Sequence, residues 1–153
     1  MSISPTFEDP VAIKPEPRVQ VAALCHRKGA KGREVLLVTS SRGRWILPKG
    51  WPIDGLSDGD AALQEAWEEA GVKDATAKAE PIGSYAYDKT MGSGLPVPVE
   101  ALIYSVRVQG LESEFPEAGQ RELRWVSPTE AANLVDEPEL KSILNVMAPK
   151  GAS

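Results

Sequence analysis

The chain reads as an α/β domain in which a mixed central sheet carries helices on both faces. Two observations lead there. Short β-branched and aliphatic runs occur on both sides of one central amphipathic helix, and two further helical segments close the chain. The length of 153 residues, with 42% apolar and 25% charged residues, suits one domain with an ordinary core.

Residues 1–17 hold Pro5, Pro10, Pro15 and Pro17, which fix φ and remove donors, so an extended or mobile arm is expected there. The domain proper is expected over 18–148, with 149–153 as a tail. Val19–Cys25 and Glu34–Thr39 read as a hairpin around a Gly- and Lys-rich tip, and Arg44–Leu47 as a short strand stopped by Pro48. A glycine- and aspartate-rich loop leads to a helix over about 60–70, capped by Ser57 or Asp58 and closed by Gly71. Thr76–Tyr87 and Val97–Val108 read as two long strands, and Glu122–Val126 as a final short one. Ser127-Pro-Thr-Glu130 opens a short helix as a capping box with Pro at its first position. Leu140, Ile143, Leu144 and Met147 give the last helix an apolar stripe.

Composition excludes several function classes. Cys25 is the only cysteine and His26 the only histidine, so no intramolecular disulfide, Cys-based zinc site or two-histidine metal motif can form. No run approaches the ~20 apolar residues of a membrane span, and the N-terminus lacks the basic and apolar regions of a signal peptide. A soluble protein in the reducing cytoplasm is expected. The net charge is −5, yet residues 18–49 hold eight basic residues against one acid, Glu34. An acidic protein with one basic segment suits a compact polyanion better than a DNA or RNA duplex. Within that segment, Arg27 to Arg33 read as a solvated hairpin tip.

The central helix carries the chemistry. Leu63, Ala66, Trp67 and Ala70 form one face that should dock on the sheet. Glu65, Glu68 and Glu69, spaced i, i+3, i+4, should lie opposite. Like charges so close repel, and no Lys or Arg at i±4 relieves them. A divalent cation would, because Mg2+ and Mn2+ take a few carboxylates together with phosphate oxygens. A plain solvated acidic face is the alternative.

The stretch Arg44-Trp-Ile-Leu-Pro-Lys-Gly-Trp51, the Gly50–Gly59 loop and Glu65-Ala-Trp-Glu-Glu-Ala-Gly-Val72 together resemble the Nudix hydrolase family. Its box begins here at Gly50. The three helical glutamates and the closing Gly71-Val72 are in register. Leu56 stands where the box has its first glutamate, and Gln64 where it has an arginine. The likeness extends over about residues 18–147 through the Glu122-Leu-Arg-Trp-Val-Ser-Pro-Thr-Glu-Ala131 segment.

The resemblance implies a Nudix-like α/β/α sandwich and a pyrophosphohydrolase using Mg2+ or Mn2+. Glu65, Glu68 and Glu69 would be the metal-binding and catalytic set, with Glu117 as a further metal-ligand candidate from a loop before the last strand. The run Leu36 to Arg44 looks most like the diphosphoinositol polyphosphate phosphohydrolase branch, which also handles diadenosine polyphosphates. Lys49 with Gly50, Ser41, Arg42, Arg44, Arg18 and Lys89 are the candidate substrate contacts, supplying cations for a polyphosphorylated small molecule. Tyr85 and Tyr87 either flank a base or fill the core. A Nudix-fold binding module with little or no turnover is the second reading, motivated by Leu56 and Gln64. A metal-free acidic α/β protein is the third. Oligomeric state is left open.

Overall fold

The computed structural model describes residues 18–90, 92 and 94–148, so the expected arm and tail lie outside the described residues. Eight strands form one mixed sheet: β1 (Arg18–Gly29), β2 (Gly32–Thr39), β3 (Trp45–Ile46), β4 (Lys49–Gly50), β5 (Val72–Ala77), β6 (Gly83–Thr90), β7 (Pro96–Leu111) and β8 (Leu123–Val126). Three helices accompany them: α1 (Asp58–Ala70), α2 (Pro128–Leu134) and α3 (Pro138–Met147).

The run Val21–Cys25 has no exposed surface because β1 lies in the middle of the sheet and is covered on both faces. It runs parallel to β7, from Arg18↔Val99 to His26↔Arg107. Side chains alternate between two cores. Ala22, Leu24, Val35 and Ile103 pack with Ala131, Leu140 and Leu144 of α2 and α3. Val21, Ala23, Cys25 and Val106 pack with Ala61, Ala62, Ala66 and Ala70 of α1. The expected sandwich is therefore the observed one.

One relation among the strands places the site. Val35 pairs with His26 of β1 and Val126 of β8, whereas Val38 pairs with Leu123 of β8 and Ile46 of β3. Since β8 follows one edge of β2, β1 and β3 share the other, so β1 and β2 diverge. The segment 45–50 fills the wedge. Lys49 and Gly50 pair with Ala22 and Val21, and the Pro48 carbonyl accepts the Ala23 N–H at 2.9 Å.

The structure corrects two expectations. The strand read over 76–87 is two strands, β5 and β6, laid antiparallel along the same edge of β7. Between Ala77↔Val106 and Gly83↔Ile103 the edge holds five residues against two, and Pro81 within that excursion has no N–H for a ladder. The face of α1 is also rotated from its expected position. Ala61, Ala62, Ala66 and Ala70 dock on the sheet, and Glu69 is buried with them at 5% exposure. Trp67 leans outward onto Phe115, with ring centroids 6.5 Å apart. Small alanines let the helix sit close to the sheet, whereas the indole finds room only at its margin.

Ser57 caps α1 by accepting the Asp60 N–H at 3.2 Å, and Gly71 ends it at φ 73°. A Cβ at Gly71 would stand 2.3 Å from the Glu112 carbonyl oxygen, so both conformation and space demand glycine. Ser127 caps α2 from its side chain, as the sequence predicts. No described helix is long and apolar enough to cross a membrane.

Candidate functional site

Three pieces of chain meet where the C-terminal half of α1 passes over β4. The Glu65 carboxyl lies against Gly50, where an added Cβ would be 2.3 Å from its Cδ. The glycine of the Lys49-Gly50 pair is thus the space the glutamate occupies. Glu65 is hydrogen-bonded to Glu69 through their side chains. Two carboxyls in that relation share a proton, and both are pushed above the ordinary range. For Glu69 burial is the main cause, opposed by Arg121 and reinforced by Glu65 and Glu117, and the result is about 8. For Glu65 burial again leads, with Glu68 and Glu117 adding to it. Glu68 points elsewhere, accepting from Gln64 Nε2 at 2.7 Å.

Glu117 reaches this group because its backbone N–H donates to the Glu68 carbonyl at 2.9 Å. Its side chain accepts from Arg121 Nε at 3.1 Å, and Arg121 Nη1 donates to the Thr39 carbonyl at 2.9 Å. One guanidinium therefore ties the loop before β8 to the end of β2 beside the acidic pair.

A cleft of about 320 Å³ opens from Glu69. Its wall holds Ser41, Arg42, Arg44, Lys49 and Lys89, five of the seven substrate contacts expected from sequence. Gly50 backs Glu65 instead. Arg18, at the exposed start of β1, is absent from the lining. Ser40 shapes the arginine-bearing turn, its hydroxyl accepting the Arg42 and Arg44 N–H groups at 3.3 and 3.1 Å. Arg44 also faces Asp136 at 3.7 Å, both well exposed.

Lys49 stands deepest among the cations. Burial pulls its ammonium down to about 8, with Lys89 and Arg121 adding to the effect and Glu69 and Glu137 opposing it. Its Nζ lies 4.8 Å from the centre of the Tyr87 ring. The two readings of the tyrosines divide: Tyr85 is core at 2% exposure, while Tyr87 is half-buried, lines the cleft and donates its hydroxyl to Gln20. Trp45 and Trp125 lie under Arg124 and Arg27 at 4.8 and 4.0 Å, outside the cleft.

Sequence reasoning missed Arg121, Gln20 and Glu137, which also line the cleft. Arg121 lies four residues after Glu117, a spacing that could have been read once Glu117 was a candidate. Gln20 and Glu137 come from distant segments and left no local signal. Glu137 Oε1 is buried and, among the described residues, has no hydrogen-bond partner.

Hard oxygen donors that share a proton for want of a counter-charge suit a divalent cation. Among the described residues no group of three or more His, Cys, Asp or Glu side chains is arranged to hold a metal ion by itself. The fit is accordingly to an ion that keeps water and takes part of its shell from a substrate phosphate, as Mg2+ commonly does.

Comparison with known proteins shows the family and the fold. A family model described as the NUDIX domain matches residues 16–146. The chain is 29% identical over 134 residues to the mitochondrial Nudix hydrolase 13 of Arabidopsis thaliana, covering 78% of this chain and 64% of that protein. It is 48% identical over 56 residues to human diphosphoinositol polyphosphate phosphohydrolase 3-alpha, covering 35% of this chain and 34% of that one. The chain thus spans less than two thirds of these curated relatives. A Caenorhabditis elegans Ap4A hydrolase in a binary complex shares the fold with a TM-score of 0.60 at 24% identity, over 85% of this chain and 94% of that one.

Proposed function

The chain belongs to the NUDIX domain family, and from that premise we propose that it hydrolyses a phosphoanhydride bond in a polyphosphorylated small molecule with Mg2+ or Mn2+. The observation that carries this is the Glu65–Glu69 pair at the end of a cleft walled by Arg42, Arg44, Lys49 and Lys89. A cleft in which five cations outnumber three acids attracts a polyanion, and the acidic pair is where a metal cation would stand. Glu65 and Glu69 would hold it, with Glu68 and Glu117 able to complete the shell through water. When bound, the ion offsets charge on the phosphates and acidifies water.

The chain's own residues do the rest. Arg42 and Arg44 present forked donors from the Ser40 turn, matching phosphate oxygens in pairs. Lys49 adds a point charge close to the acidic pair. One of Glu65, Glu68 and Glu69 would take a proton from attacking water. Arg121 keeps Glu117 beside the pair.

Cations alone suit a diphosphoinositol polyphosphate and a dinucleoside polyphosphate equally. Tyr87 and Glu137 favour the second. A half-buried phenol ring offers a base a surface, and an unpartnered buried carboxylate oxygen awaits a donor, which a ribose hydroxyl or a base amine supplies. A nucleoside diphosphate derivative fits less well, since five cations then face only two phosphates. The cytoplasm remains the proposed location.

Product analysis on diadenosine tetraphosphate, a diphosphoinositol polyphosphate and ADP-ribose, with Mg2+ and with Mn2+, tests the proposal. Cleavage that falls about a hundredfold or more in Glu65→Gln and Glu69→Gln is expected. Leu56 and Gln64 keep a second reading in view, a module that binds polyphosphates without turnover. Thermal stabilisation by those compounds with no cleavage under either metal would establish it instead.

A further inference from the structure

The face of the sheet under α2 and α3 continues past those helices, and its far end is bare. Alternation along the strands puts His26 two residues beyond buried Leu24, Arg33 two before buried Val35, and Ser105 two beyond buried Ile103. Register adds Arg107 beside His26 and Thr76 beside Arg107. Two adjoining cavities of about 740 and 580 Å³ lie over this surface, sharing His26, Arg33 and Arg107, and extended by Lys28 and Lys78. Neither lining contains an aspartate or glutamate, in a protein of net charge −5. Arg27, at the rim, is already paired with Glu34 at 2.9 Å, but Lys28, Arg33, Lys78 and Arg107 have no ion-pair partner among the described residues.

We propose that this open end of the sheet is a second anion-binding site, separate from the cleft, and that it takes a linear polyphosphate. Four cations without ion-pair partners, spread over β2, β1, β7 and the end of β5, make a diagonal line. Arg33 and Lys28 face each other in register, Arg107 stands two residues back from their level and Lys78 two further, so sideways steps of roughly 5 Å combine with shifts of roughly 7 Å along the strands. A chain charged at every link can engage such a row at several points, whereas one phosphate engages a single cation or two. The hydroxyls of Thr76 and Ser105 add donors between them. No Phe, Tyr or Trp lines the surface, and its one ring, the His26 imidazole, is half-buried and bonded to Ser105, so it is a poor platform for successive nucleobases and disfavours nucleic acid. Gln20 in the cleft and His26 here are six residues apart on β1, roughly 20 Å, with the α2–α3 layer between. His26 already senses the field: burial holds its imidazole below the ordinary value, and Arg33, Arg107 and Lys78 lower it further. Its Nε2 lies 3.0 Å from Ser105 Oγ.

As the only histidine, His26 is a built-in reporter. Its ring proton resonances are followed by NMR in metal-free protein at low salt while tripolyphosphate is added. Binding is expected to shift them saturably and to raise the His26 pKa by offsetting the three cations. Arg33→Gln with Arg107→Gln should weaken the response at least about tenfold, whereas Lys49→Met in the cleft should leave it unchanged. The Arg33/Arg107 variant should hydrolyse the cleft's substrate at the wild-type rate. The proposal is overturned if the resonances do not move at millimolar tripolyphosphate, if they move equally in the double variant, or if a single-stranded oligonucleotide binds there more tightly than tripolyphosphate. The readout needs no turnover, so it stands even if the cleft proves not to hydrolyse anything.

Discussion

Arg121 donates from Nε to Glu117 Oε1 at 3.1 Å while its Nη1 holds the Thr39 carbonyl at 2.9 Å. The same guanidinium acts on Glu69 and Glu65, drawing both carboxyls back toward ionisation. On α1 itself Gln64 offers only a neutral donor, to Glu68. The positive charge beside the glutamates therefore comes from the far side of the site. Arg121→Gln should lower kcat by about ten- to a hundredfold, in line with loss of one charged positioning contact. Gln64→Arg on that background should restore a substantial part, because the new guanidinium would stand on the glutamate side of the helix. Steady-state kinetics on the three proteins read this directly, and a double variant no better than Arg121→Gln would show that position 64 cannot supply the charge.

A Cβ would collide with a neighbour at both Gly50 and Gly71, but the two should fail differently. A Cβ at Gly50 meets only the end of the Glu65 side chain, which can swing away cheaply, so Gly50→Ala should cost about 1 kcal/mol or less. The displaced carboxyl leaves Glu69, so activity should fall at least tenfold. At Gly71 the obstacle is the Glu112 backbone carbonyl and φ is 73°, so Gly71→Ala should cost upward of about 2 kcal/mol. Urea denaturation beside activity separates the two. Equal destabilisation would mean that Glu65 is pinned and unable to yield.

The contrast shows where the sequence was informative. Gly50 and Gly71 were marked by their place around the acidic helix, and Ser57, Ser127 and Pro128 announced helix ends, because caps are local chemistry. Glutamate spacing put Glu65, Glu68 and Glu69 on one side of α1. It did not reveal that Glu69 is buried, since that depends on alanines letting the helix close on the sheet. The wedge of 45–50 between β1 and β2, and the break between β5 and β6, are tertiary pairings with no periodic trace. Glu137 enters the cleft only because α3 folds back over β6, a relation between residues far apart in the chain.

Stability of the metal-free protein should dip near pH 8. Glu69 is held at about 8 when folded against 4.5 for a free carboxyl, so between those values the folded state keeps a proton that the unfolded chain has lost. Its contribution is whole below 4.5 and disappears as pH rises through 8. Lys49 behaves in reverse. Held at about 8 against 10.5, it contributes fully above 10.5 and loses that as pH falls through 8. Melting temperatures of wild type minus Glu69→Gln should fall across the first window, and those of wild type minus Lys49→Met should rise across the second. Mn2+ should stabilise more near pH 8 than near pH 5, since there it competes with fewer protons. A flat Glu69 difference would mean that the carboxyl is ionised throughout.

Glu137 offers a test of what the cleft selects. Its Oε1 is buried without a partner among the described residues, beside Lys49 and the Tyr87 ring, so bound substrate must either donate to it or keep its own charge away. A dinucleoside polyphosphate can donate from a ribose hydroxyl, whereas a fully phosphorylated inositol ring brings only acceptors near it. Glu137→Gln, which keeps the shape and adds a donor, should raise KM for the dinucleoside substrate by several-fold through loss of a charged acceptor, about 1 kcal/mol or more. Glu137→Lys should turn the preference toward the inositol compound by removing a like charge and adding a cation. The ratio of kcat/KM between the two substrates is the measurement. A ratio unmoved by either replacement would place the substrate's non-phosphate part elsewhere in the cleft, with Tyr87 and Gln20 as the surfaces left to bind it.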